Sequence, residues 1–253
     1  MTFTGKHIVV TGASTGIGRA TAIMLGKRGA TVSLIARSKD NLASAVAEIG
    51  STAKAYAADV ADRAALASAF DAAVAASGEV HGLFANAGFG GEFAPFPAFT
   101  DENWDGLIAT NLTSVFHSIR HVLPAMMARQ SGSIVVTGSL SSERGMANNA
   151  GYVASKHGVL GLARAAALEV APVGVRVNCV LPGLIETPLL QAIGGDDIPA
   201  AMAMMGKSVP QGRVGTAEEV AETVCFLLSD AASHVTGQAW AVDGGILGTL
   251  SLR

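Results

Sequence analysis

The sequence predicts an α/β fold, a doubly wound parallel sheet of seven strands flanked by helices. Short β-rich stretches alternate with longer Ala-rich stretches along the 253 residues, which is the pattern of repeated strand–helix–strand units. A glycine-rich turn follows the first β-rich stretch. Half of the residues are hydrophobic and 15% are charged, so the chain can cover both faces of a buried sheet.

Seven β-rich stretches supply the strands. In chain order they are "KHIVVTG", "TVSLIA", "KAYAADV", "GLFANAG", "GSIVVTGS", "GVRVNCVLPG" and "GQAWAVDGG". Helices are predicted over residues 17–28, 40–49, 63–76, 102–110, 111–129, 150–171 and 217–228. Right-handed crossovers should place them on both faces. Ligands are then expected beyond the carboxyl ends of the strands.

The segment from residue 184 to residue 215 breaks this rhythm. It contains "AMAMM" at Ala201–Met205, and methionines make adaptable apolar surfaces. We therefore expect a mobile lid over the substrate, with plain packing as the alternative. Because no linker or charge block divides the chain, residues 1–253 are predicted to form a single domain.

Charge and cysteine content argue against several classes of partner. The formal net charge is −3 and no long basic run occurs, so neither nucleic acid nor an anionic membrane is an expected partner. The two cysteines, Cys179 and Cys225, lie far apart in apolar stretches, which predicts buried free thiols in a reducing compartment. The sequence shows neither a signal-peptide pattern nor a long apolar run. A cytoplasmic protein is therefore expected.

The turn "TGASTGIG" spans Thr11 to Gly18, between the first strand and the first helix. Gly12 permits a tight turn, Gly16 lets backbone approach a diphosphate, and Gly18 lets the helix pack closely. The free N–H groups at the start of the helix favour an anion. A structural turn is the alternative, but the position between strand and helix favours a dinucleotide site.

The end of the second strand bears on which dinucleotide binds. An acidic residue there usually holds the ribose 2′-hydroxyl, whereas this chain has "LIARSKD", with the neutral Ala36 followed by Arg37. A guanidinium suits a 2′-phosphate, and Ser38 can add a hydroxyl. Asp40 lies too far along, in the next helix. NADP(H) is favoured over NAD(H), and the alternative is that Arg37 is simply solvated.

A tyrosine and a lysine lie four positions apart in "GYVASKHGVL", so Tyr152 and Lys156 share one helix face. A cation beside a phenol favours the phenolate and lowers its pKa. A phenol with a pKa closer to neutral is a better general acid or base for a carbonyl or alcohol. A plain surface pair is the alternative.

Two further polar residues are candidates for the same site. Ser139 follows the fifth strand, and its hydroxyl can donate a hydrogen bond to a substrate oxygen as negative charge develops on that oxygen. It is, however, one of several loop serines. Asn111 starts or interrupts a helix, and an ordinary N-cap is the alternative. His117 and His121 lie four positions apart. They have no H-E-x-x-H pattern, so they are interpreted as a polar face and no metal is expected.

The order and spacing of short motifs resemble the short-chain dehydrogenase/reductase superfamily along the whole chain, especially its single-domain 3-oxoacyl reductase and carbonyl reductase members. The motifs are Thr11-Gly12 with Gly16 and Gly18, Asp59-Val60, Asn86–Gly88, Asn111, Ser139, Tyr152 with Lys156, Pro182-Gly183 with Thr187, and Val242–Gly245. The resemblance implies a Rossmann domain. It also implies that Asn111 holds a water that relays protons from Lys156.

The resemblance extends the expected cofactor site well beyond the glycine turn. It implies that Asp59 and Val60 flank the adenine, that residues 86–88 line the cleft, and that Ile185 and Thr187 touch the nicotinamide carboxamide. The full expected cofactor-binding set is Gly12, Ser14, Thr15, Gly16, Ile17, Gly18, Arg37, Ser38, Asp59, Val60, Asn86, Ala87, Gly88, Tyr152, Lys156, Pro182, Gly183, Ile185 and Thr187.

The substrate pocket should be walled by residues 141–149, 89–93 and 184–209. Its named candidates are Ser141, Met146, Asn149 and Leu184. No basic residue obviously awaits an anionic substrate, although Arg144 and Arg213 are unplaced. A neutral, fairly apolar ketone or secondary alcohol is expected, either cyclic or a β-keto ester. Acyl-carrier-bound 3-oxoacyl groups are a further substrate alternative.

These observations predict an NADPH-dependent carbonyl reductase with Tyr152 as general acid/base. The first alternative is an NAD-dependent alcohol or cis-diol dehydrogenase. A non-catalytic nucleotide-sensing protein on the same fold is the second. The resemblance also implies a homotetramer, built partly through the helices at 111–129 and 150–171 and through the last strand.

Overall fold

A computed structural model of the chain describes residues 1–191 and 197–249. Its seven strands form one sheet in the order β3-β2-β1-β4-β5-β6-β7, and all neighbouring pairs are parallel. The predicted fold class is therefore confirmed. The strands are β1 (His7–Thr11), β2 (Thr31–Ala36), β3 (Ala53–Ala57), β4 (Gly82–Ala85), β5 (Gly132–Thr137), β6 (Val175–Pro182) and β7 (Ala239–Val242).

Helices cover both faces of this sheet. They are α1 (Gly16–Lys27), α2 (Lys39–Ile49), α3 (Arg63–Ser77), α4 (Asp101–Ile108), α5 (Ser114–Arg129), α6 (Ala150–Val170), α7 (Pro188–Gln191), α8 (Ile198–Gly206) and α9 (Ala217–Leu228). Within the described ranges, none of the helices is long and apolar enough to cross a membrane.

Alternate residues of each strand point into two hydrophobic cores on opposite faces of the sheet. In β1, Ile8 and Val10 join α1, α2 and α9 in one core, while Val9 joins α3, α5 and α6 in the other. Full burial on both faces explains why β1 is almost continuously apolar. The strand order reverses between β1 and β4, and this reversal opens a crevice at their carboxyl ends.

The join between α4 and α5 differs from the predicted helix break. Residues Ala109–Thr113 form a π-helical turn that connects the two helices without a gap. Asn111 lies inside this turn and is buried, so the N-cap alternative for Asn111 is wrong. The extra residue of the π turn re-aims its side chain toward the interior, which is a common use of such turns near functional sites.

The segment predicted to be an irregular lid contains two helices, α7 and α8. Its ends meet, because Ile185 and Gly215 form an isolated parallel bridge. Residues 192–196 of the predicted lid lie outside the described part of the chain. The segment thus leaves the body after β6 and returns to nearly the same point before α9.

Candidate active site

A cleft of about 720 Å³ opens at the carboxyl ends of the strands. Almost every residue expected in the cofactor site or the substrate pocket lines this cleft. The two exceptions among the predicted site residues are Gly18 and Asn111, which are buried behind its wall. The structure therefore brings the predicted residues together at the edge of the sheet where this fold binds ligands.

The glycine turn has the shape that a diphosphate needs. Gly12 and Gly16 both have positive φ, +66° and +52°. A Cβ on Gly12 would lie 2.8 Å from the Ala87 Cα, and a Cβ on Gly18 would collide with the Gly12 carbonyl oxygen. Thr15 precedes α1 without a side-chain cap to any described residue. Gly16 and Ile17, which open α1, line the cleft, so the free N–H groups of this first turn can bind a dinucleotide phosphate.

At the far end of the cleft, a cation and a carboxylate face each other across the ends of β2 and β3. The Arg37 side chain is 78% exposed and lies 4.0 Å from Asp59. Asp59 also accepts a hydrogen bond from the Ala61 N–H at 3.0 Å. Ser38 caps α2 through the Asn41 N–H at 3.3 Å, and its hydroxyl hydrogen stays available as a donor.

Asn86 holds three strand ends together. Its amide nitrogen donates to the Thr11 carbonyl at 3.2 Å, and its amide oxygen accepts from the Thr137 hydroxyl at 3.1 Å. Its backbone N–H donates to the Thr11 hydroxyl at 3.0 Å. Asn86 lines the cleft as expected, but its side chain is engaged in joining β1, β4 and β5.

Tyr152 and Lys156 point into the middle of the cleft from one face of α6. The Lys156 Nζ lies 5.6 Å from the centre of the Tyr152 ring and donates to the Thr137 carbonyl at 2.8 Å. Ser139, just beyond β5, faces the Tyr152 phenol. The Ser139 hydroxyl accepts a hydrogen bond from the Ser141 N–H at 3.1 Å, which fixes its direction.

Burial and neighbouring groups both act on the pKa of Tyr152. Burial raises the pKa of the Tyr152 phenol, and the Ser139 hydroxyl opposes this rise. Burial also lowers the pKa of Lys156 to about 8. Burial is the largest influence on the pKa of Tyr152, and it acts against the lowering that is expected from Lys156.

Asn111 supports the site from behind. Its side-chain oxygen accepts from the Phe89 N–H at 3.0 Å, and its amide nitrogen donates to the Phe89 carbonyl at 3.0 Å. The same nitrogen donates to the Ser155 hydroxyl at 3.2 Å, and Ser155 donates to the Tyr152 carbonyl at 2.8 Å. Asn111 thus links the loop after β4 to the helix that carries Tyr152.

Asn149, predicted as a pocket residue, is buried and lies at the start of α6. Its oxygen accepts from the Tyr152 N–H at 3.3 Å, and its nitrogen donates to the Gly90 carbonyl at 2.7 Å. Ser141 is also buried, whereas Met146 and Leu184 line the open part of the cleft. Asn149 therefore positions the pocket wall more than it offers a surface to a substrate.

The other side of the cleft is formed by the residues that follow β6. A Cβ on Gly183 would lie 2.6 Å from the Asp243 Cα, and a Cβ on Gly16 would lie 3.2 Å from the Thr187 Cγ2. The Thr187 hydroxyl donates to the Ile185 carbonyl at 3.2 Å. Pro182, Ile185 and Thr187 therefore close the cleft opposite the glycine turn.

Several charged or polar candidates lie elsewhere. Arg213 pairs with Glu219, and Arg144 is exposed with a weak contact to the Leu247 carbonyl at 3.5 Å. His121 lies 3.3 Å from Asp71, apart from the cleft lining. Over the ranges described, no group of three His, Cys, Asp or Glu side chains could hold a metal ion.

Some contributors to the site were not predicted. The Thr137 carbonyl binds Lys156 through backbone alone, so no side-chain pattern could mark it. Ser155 had a signal, since it lies on the same helix three residues after Tyr152. Leu189 lines the cleft from α7. Cys179 is a buried free thiol, as predicted, and burial raises its pKa to about 12.

Comparisons with known proteins agree with this geometry. The family model described as enoyl-(acyl carrier protein) reductase matches residues 12–247. Cyclohexanol dehydrogenase from Acinetobacter sp. (strain SE19) is 40% identical over 96% of this chain and 95% of that protein. The 3-oxoacyl-(acyl-carrier-protein) reductase FabG from Salmonella typhimurium is 39% identical over 97% of this chain and 99% of that protein.

A solved structure extends the comparison to three dimensions. The crystal structure of levodione reductase matches with a TM-score of 0.92 and 36% identity, covering 96% of this chain and 98% of that one. The family model, the sequence relatives and the matching solved structure all indicate the same family of oxidoreductases. The chain therefore belongs to the short-chain dehydrogenase/reductase family and is a nicotinamide-dependent oxidoreductase.

Proposed function

We propose that the chain catalyses the NADPH-dependent reduction of a neutral, apolar ketone to a secondary alcohol. The observation that carries the proposal is the convergence of Ser139, Tyr152 and Lys156 on one cleft whose far end carries Arg37. Membership of an enzyme family, together with all four predicted catalytic residues, makes the nucleotide-sensing alternative the weaker one.

The roles of the side chains follow from their chemistry. The Ser139 hydroxyl stabilises the ketone oxygen as negative charge develops there. Tyr152 gives that oxygen its proton. A phenol is protonated at neutral pH and can act as an acid; burial raises the pKa of Tyr152 and weakens it as an acid, while the Ser139 hydroxyl opposes this rise. Bound NADPH supplies the hydride.

Lys156 and Asn111 complete the proton path in this proposal. With its pKa lowered to about 8, Lys156 can release and regain a proton near neutral pH, so it can restore the proton that Tyr152 gives up. Asn111 is proposed to hold a water that connects Lys156 to solvent. Its contact with Ser155 keeps it against the backbone of the catalytic helix.

The lining of the cleft supports a neutral substrate. Lys156 is the charged residue of the lining near Tyr152, whereas Arg37 and Asp59 lie at the other end, after β2 and β3. Exposed apolar side chains surround the mouth: Phe89, Phe93, Met146 and Leu189. Burial of an apolar ring against them gains about 25 cal/mol per Å², while a carboxylate would find no free cation among these residues.

The names of the relatives suggest which ketones to try first. One relative is a cyclohexanol dehydrogenase, while others are 3-oxoacyl reductases. We propose cyclic ketones as the preferred class. Initial rates with cyclohexanone, a β-keto ester and a 3-oxoacyl thioester should rank the cyclic ketone first. A clear preference for the thioester would contradict this choice.

Cofactor choice depends on Arg37. A charge-assisted contact with the 2′-phosphate contributes about 1.5–3 kcal/mol, or a roughly 10- to 100-fold preference for NADPH over NADH. Fluorescence titration should show this preference in the wild type and its loss in Arg37→Asp. Lys27→Asp makes the same charge change at the C-terminal end of α1, outside the cleft lining. This variant should keep the preference for NADPH.

One observation favours the NAD-dependent alternative. Arg37 is largely exposed and faces Asp59, so the carboxylate competes with a phosphate for the guanidinium. If NADH binds as tightly as NADPH and Arg37→Asp leaves the ratio unchanged, the chain is better described as an NAD-dependent alcohol dehydrogenase.

We also propose that four copies of the chain assemble into a homotetramer. Large apolar side chains are exposed on the helices and the strand through which the family resemblance implies assembly: Phe116 and Met127 on α5, Leu168 on α6, and Trp240 on β7. Covering them in an interface would remove apolar area from water, which favours association.

A further inference from the structure

The loop after β5 carries a buried serine to which the proposed reaction gives no role. Ser142 is 3% exposed and is the last residue of the short 3₁₀ turn Leu140–Ser142. Its hydroxyl accepts a hydrogen bond from the Ser139 N–H at 3.1 Å and donates one to the Lys156 carbonyl at 2.8 Å. One hydroxyl thus connects the backbones of two proposed catalytic residues on different elements.

The Ser142 hydroxyl lies close to the backbone of Gly138. A Cβ on Gly138 would lie 2.8 Å from both the Ser142 Oγ and the Cys179 Sγ. The Lys156 carbonyl belongs to the interior of the 21-residue helix α6, where the helical hydrogen-bond pattern already uses it. The bond from Ser142 is therefore an addition that joins the loop to α6, and α6 does not need it to form.

The same loop fixes Ser139 a second time. The Ser139 hydroxyl accepts from the Ser141 N–H at 3.1 Å, so both the N–H and the hydroxyl of Ser139 are held within the turn. Through Ser142, the bond to the Lys156 carbonyl ties this turn to α6. Without it, the turn keeps its own shape but loses this link to the helix that carries Tyr152.

We propose that Ser142 is a positioning residue that sets the distance between the Ser139 hydroxyl and the Tyr152–Lys156 face of α6. The inference rests on the proposed function of these residues. Lys156 on α6 is the charged group beside the phenol, and the Cys179 thiol on β6 faces Lys156. Because Ser139 opposes the rise in the pKa of Tyr152, a displaced Ser139 leaves that pKa higher.

The test compares wild type with Ser142→Ala. A small misplacement of reacting groups can reduce a rate by up to about 100-fold, so we expect kcat for ketone reduction to fall roughly 10- to 100-fold. The Kd for NADPH should stay unchanged. The limb of the kcat–pH profile that reports Tyr152 should move to higher pH. In the free protein, the Ser139 amide should exchange its hydrogen faster.

A matched control separates positioning from stability. Ser133 is 4% exposed and donates to the Leu227 carbonyl in α9 at 2.9 Å, at the opposite end of β5. Ser133→Ala removes the same kind of bond between a strand segment and a helix. It should lower Tm while leaving kcat and the pH limb at their wild-type values.

Ser142→Cys covers the case in which Ser142→Ala does not fold. A thiol keeps a donor at this position, but it is larger and donates more weakly than a hydroxyl, so kcat and the pH limb should change in the same directions. If either folded variant has the wild-type kcat and the wild-type position of the kcat–pH limb, the proposed role of Ser142 is wrong, and the proposed function is unaffected. A wild-type chain that transfers no hydride would overturn the proposed function and this role together.

Discussion

At the scale of single residues, the glycine turn depends on a backbone that other residues rarely adopt. Gly12 combines positive φ with contact to the chain after β4, since a Cβ there would lie 2.8 Å from the Ala87 Cα and 2.9 Å from the Asn86 amide nitrogen. Gly5 has a similar φ of +76° but open space around its missing Cβ. A comparison of Ala substitutions at Gly5 and Gly12 therefore separates the cost of backbone strain from the cost of steric contact.

Gly12→Ala should destabilise the protein more than Gly5→Ala. A left-handed conformation costs a residue with a Cβ about 1–2 kcal/mol, and we expect Gly5→Ala to lose only that. Gly12→Ala must also displace the loop after β4, so it should lose more and weaken NADPH binding. Denaturant unfolding and cofactor titration measure both effects. Equal losses of unfolding free energy would contradict this account of the turn.

At this scale, sequence patterns predicted which side chains line the cleft, but they did not predict the contacts made by the backbone. The spacing of Tyr152 and Lys156 placed them on one helix face, and both line the cleft. For the pKa of Tyr152, the neighbouring charge was visible in the sequence, whereas burial, which raises this pKa, was not. Desolvation depends on everything that surrounds the phenol, including residues far away in the chain.

At the scale of elements, the site depends on how α6 begins. Asn149 caps this helix through the Tyr152 N–H and also donates to the Gly90 carbonyl in the loop after β4. One side chain therefore sets both the end of the catalytic helix and a wall of the cleft. Thr216 caps α9 in a similar way through the Glu219 N–H, at 3.3 Å, away from the cleft.

Asn149→Ala should reduce both stability and activity, and Thr216→Ala should reduce stability alone. Loss of an N-cap costs about 0.5–2 kcal/mol, and Asn149→Ala also removes the donor to the Gly90 carbonyl. Its kcat/KM should therefore fall more than its stability explains. Unfolding curves and steady-state kinetics on both variants give the comparison. Equal kcat/KM in the two variants would refute a special role for the start of α6.

Element boundaries show where local patterns stop being informative. The seven strands were predicted from their apolar runs and are confirmed. The π turn at Ala109–Thr113 was not predicted, because it depends on the bonds of Asn111 to the backbone of Phe89, which are tertiary contacts. Helix α8 was missed because the glycines and prolines around it obscured its period. Asp197 caps this helix through the Ala200 N–H at 3.0 Å.

At the scale of the whole molecule, the exposed apolar residues bear on the proposed tetramer. Leu168 on α6 is 78% exposed, and a single exposed leucine bears on assembly only as part of a larger apolar surface. Val74 on α3 is 39% exposed and lies outside the proposed interface. Composition alone could not assign either residue to a surface, since both occur in Ala-rich helices.

The proposed assembly can be tested by mass in solution. Wild type should sediment with four times the mass of one chain. Leu168→Asp places a charge in the interface, so it should shift the equilibrium toward smaller species, whereas Val74→Asp should keep the tetramer. Burying an unpaired charge is costly, which gives the expected direction. A monomeric wild type, or dissociation by Val74→Asp as well, would contradict the proposed interface.

The most direct test of the central claim is hydride transfer by Tyr152→Phe, followed through the loss of reduced-nicotinamide absorbance with a neutral ketone. The chain has two tyrosines, so Tyr56→Phe is the matched control. We predict a loss of roughly 100-fold or more in kcat for Tyr152→Phe, with NADPH binding retained and wild-type rates for Tyr56→Phe. A Tyr152→Phe variant that binds NADPH and reduces the ketone at the wild-type rate would contradict the assignment of Tyr152 as the general acid/base.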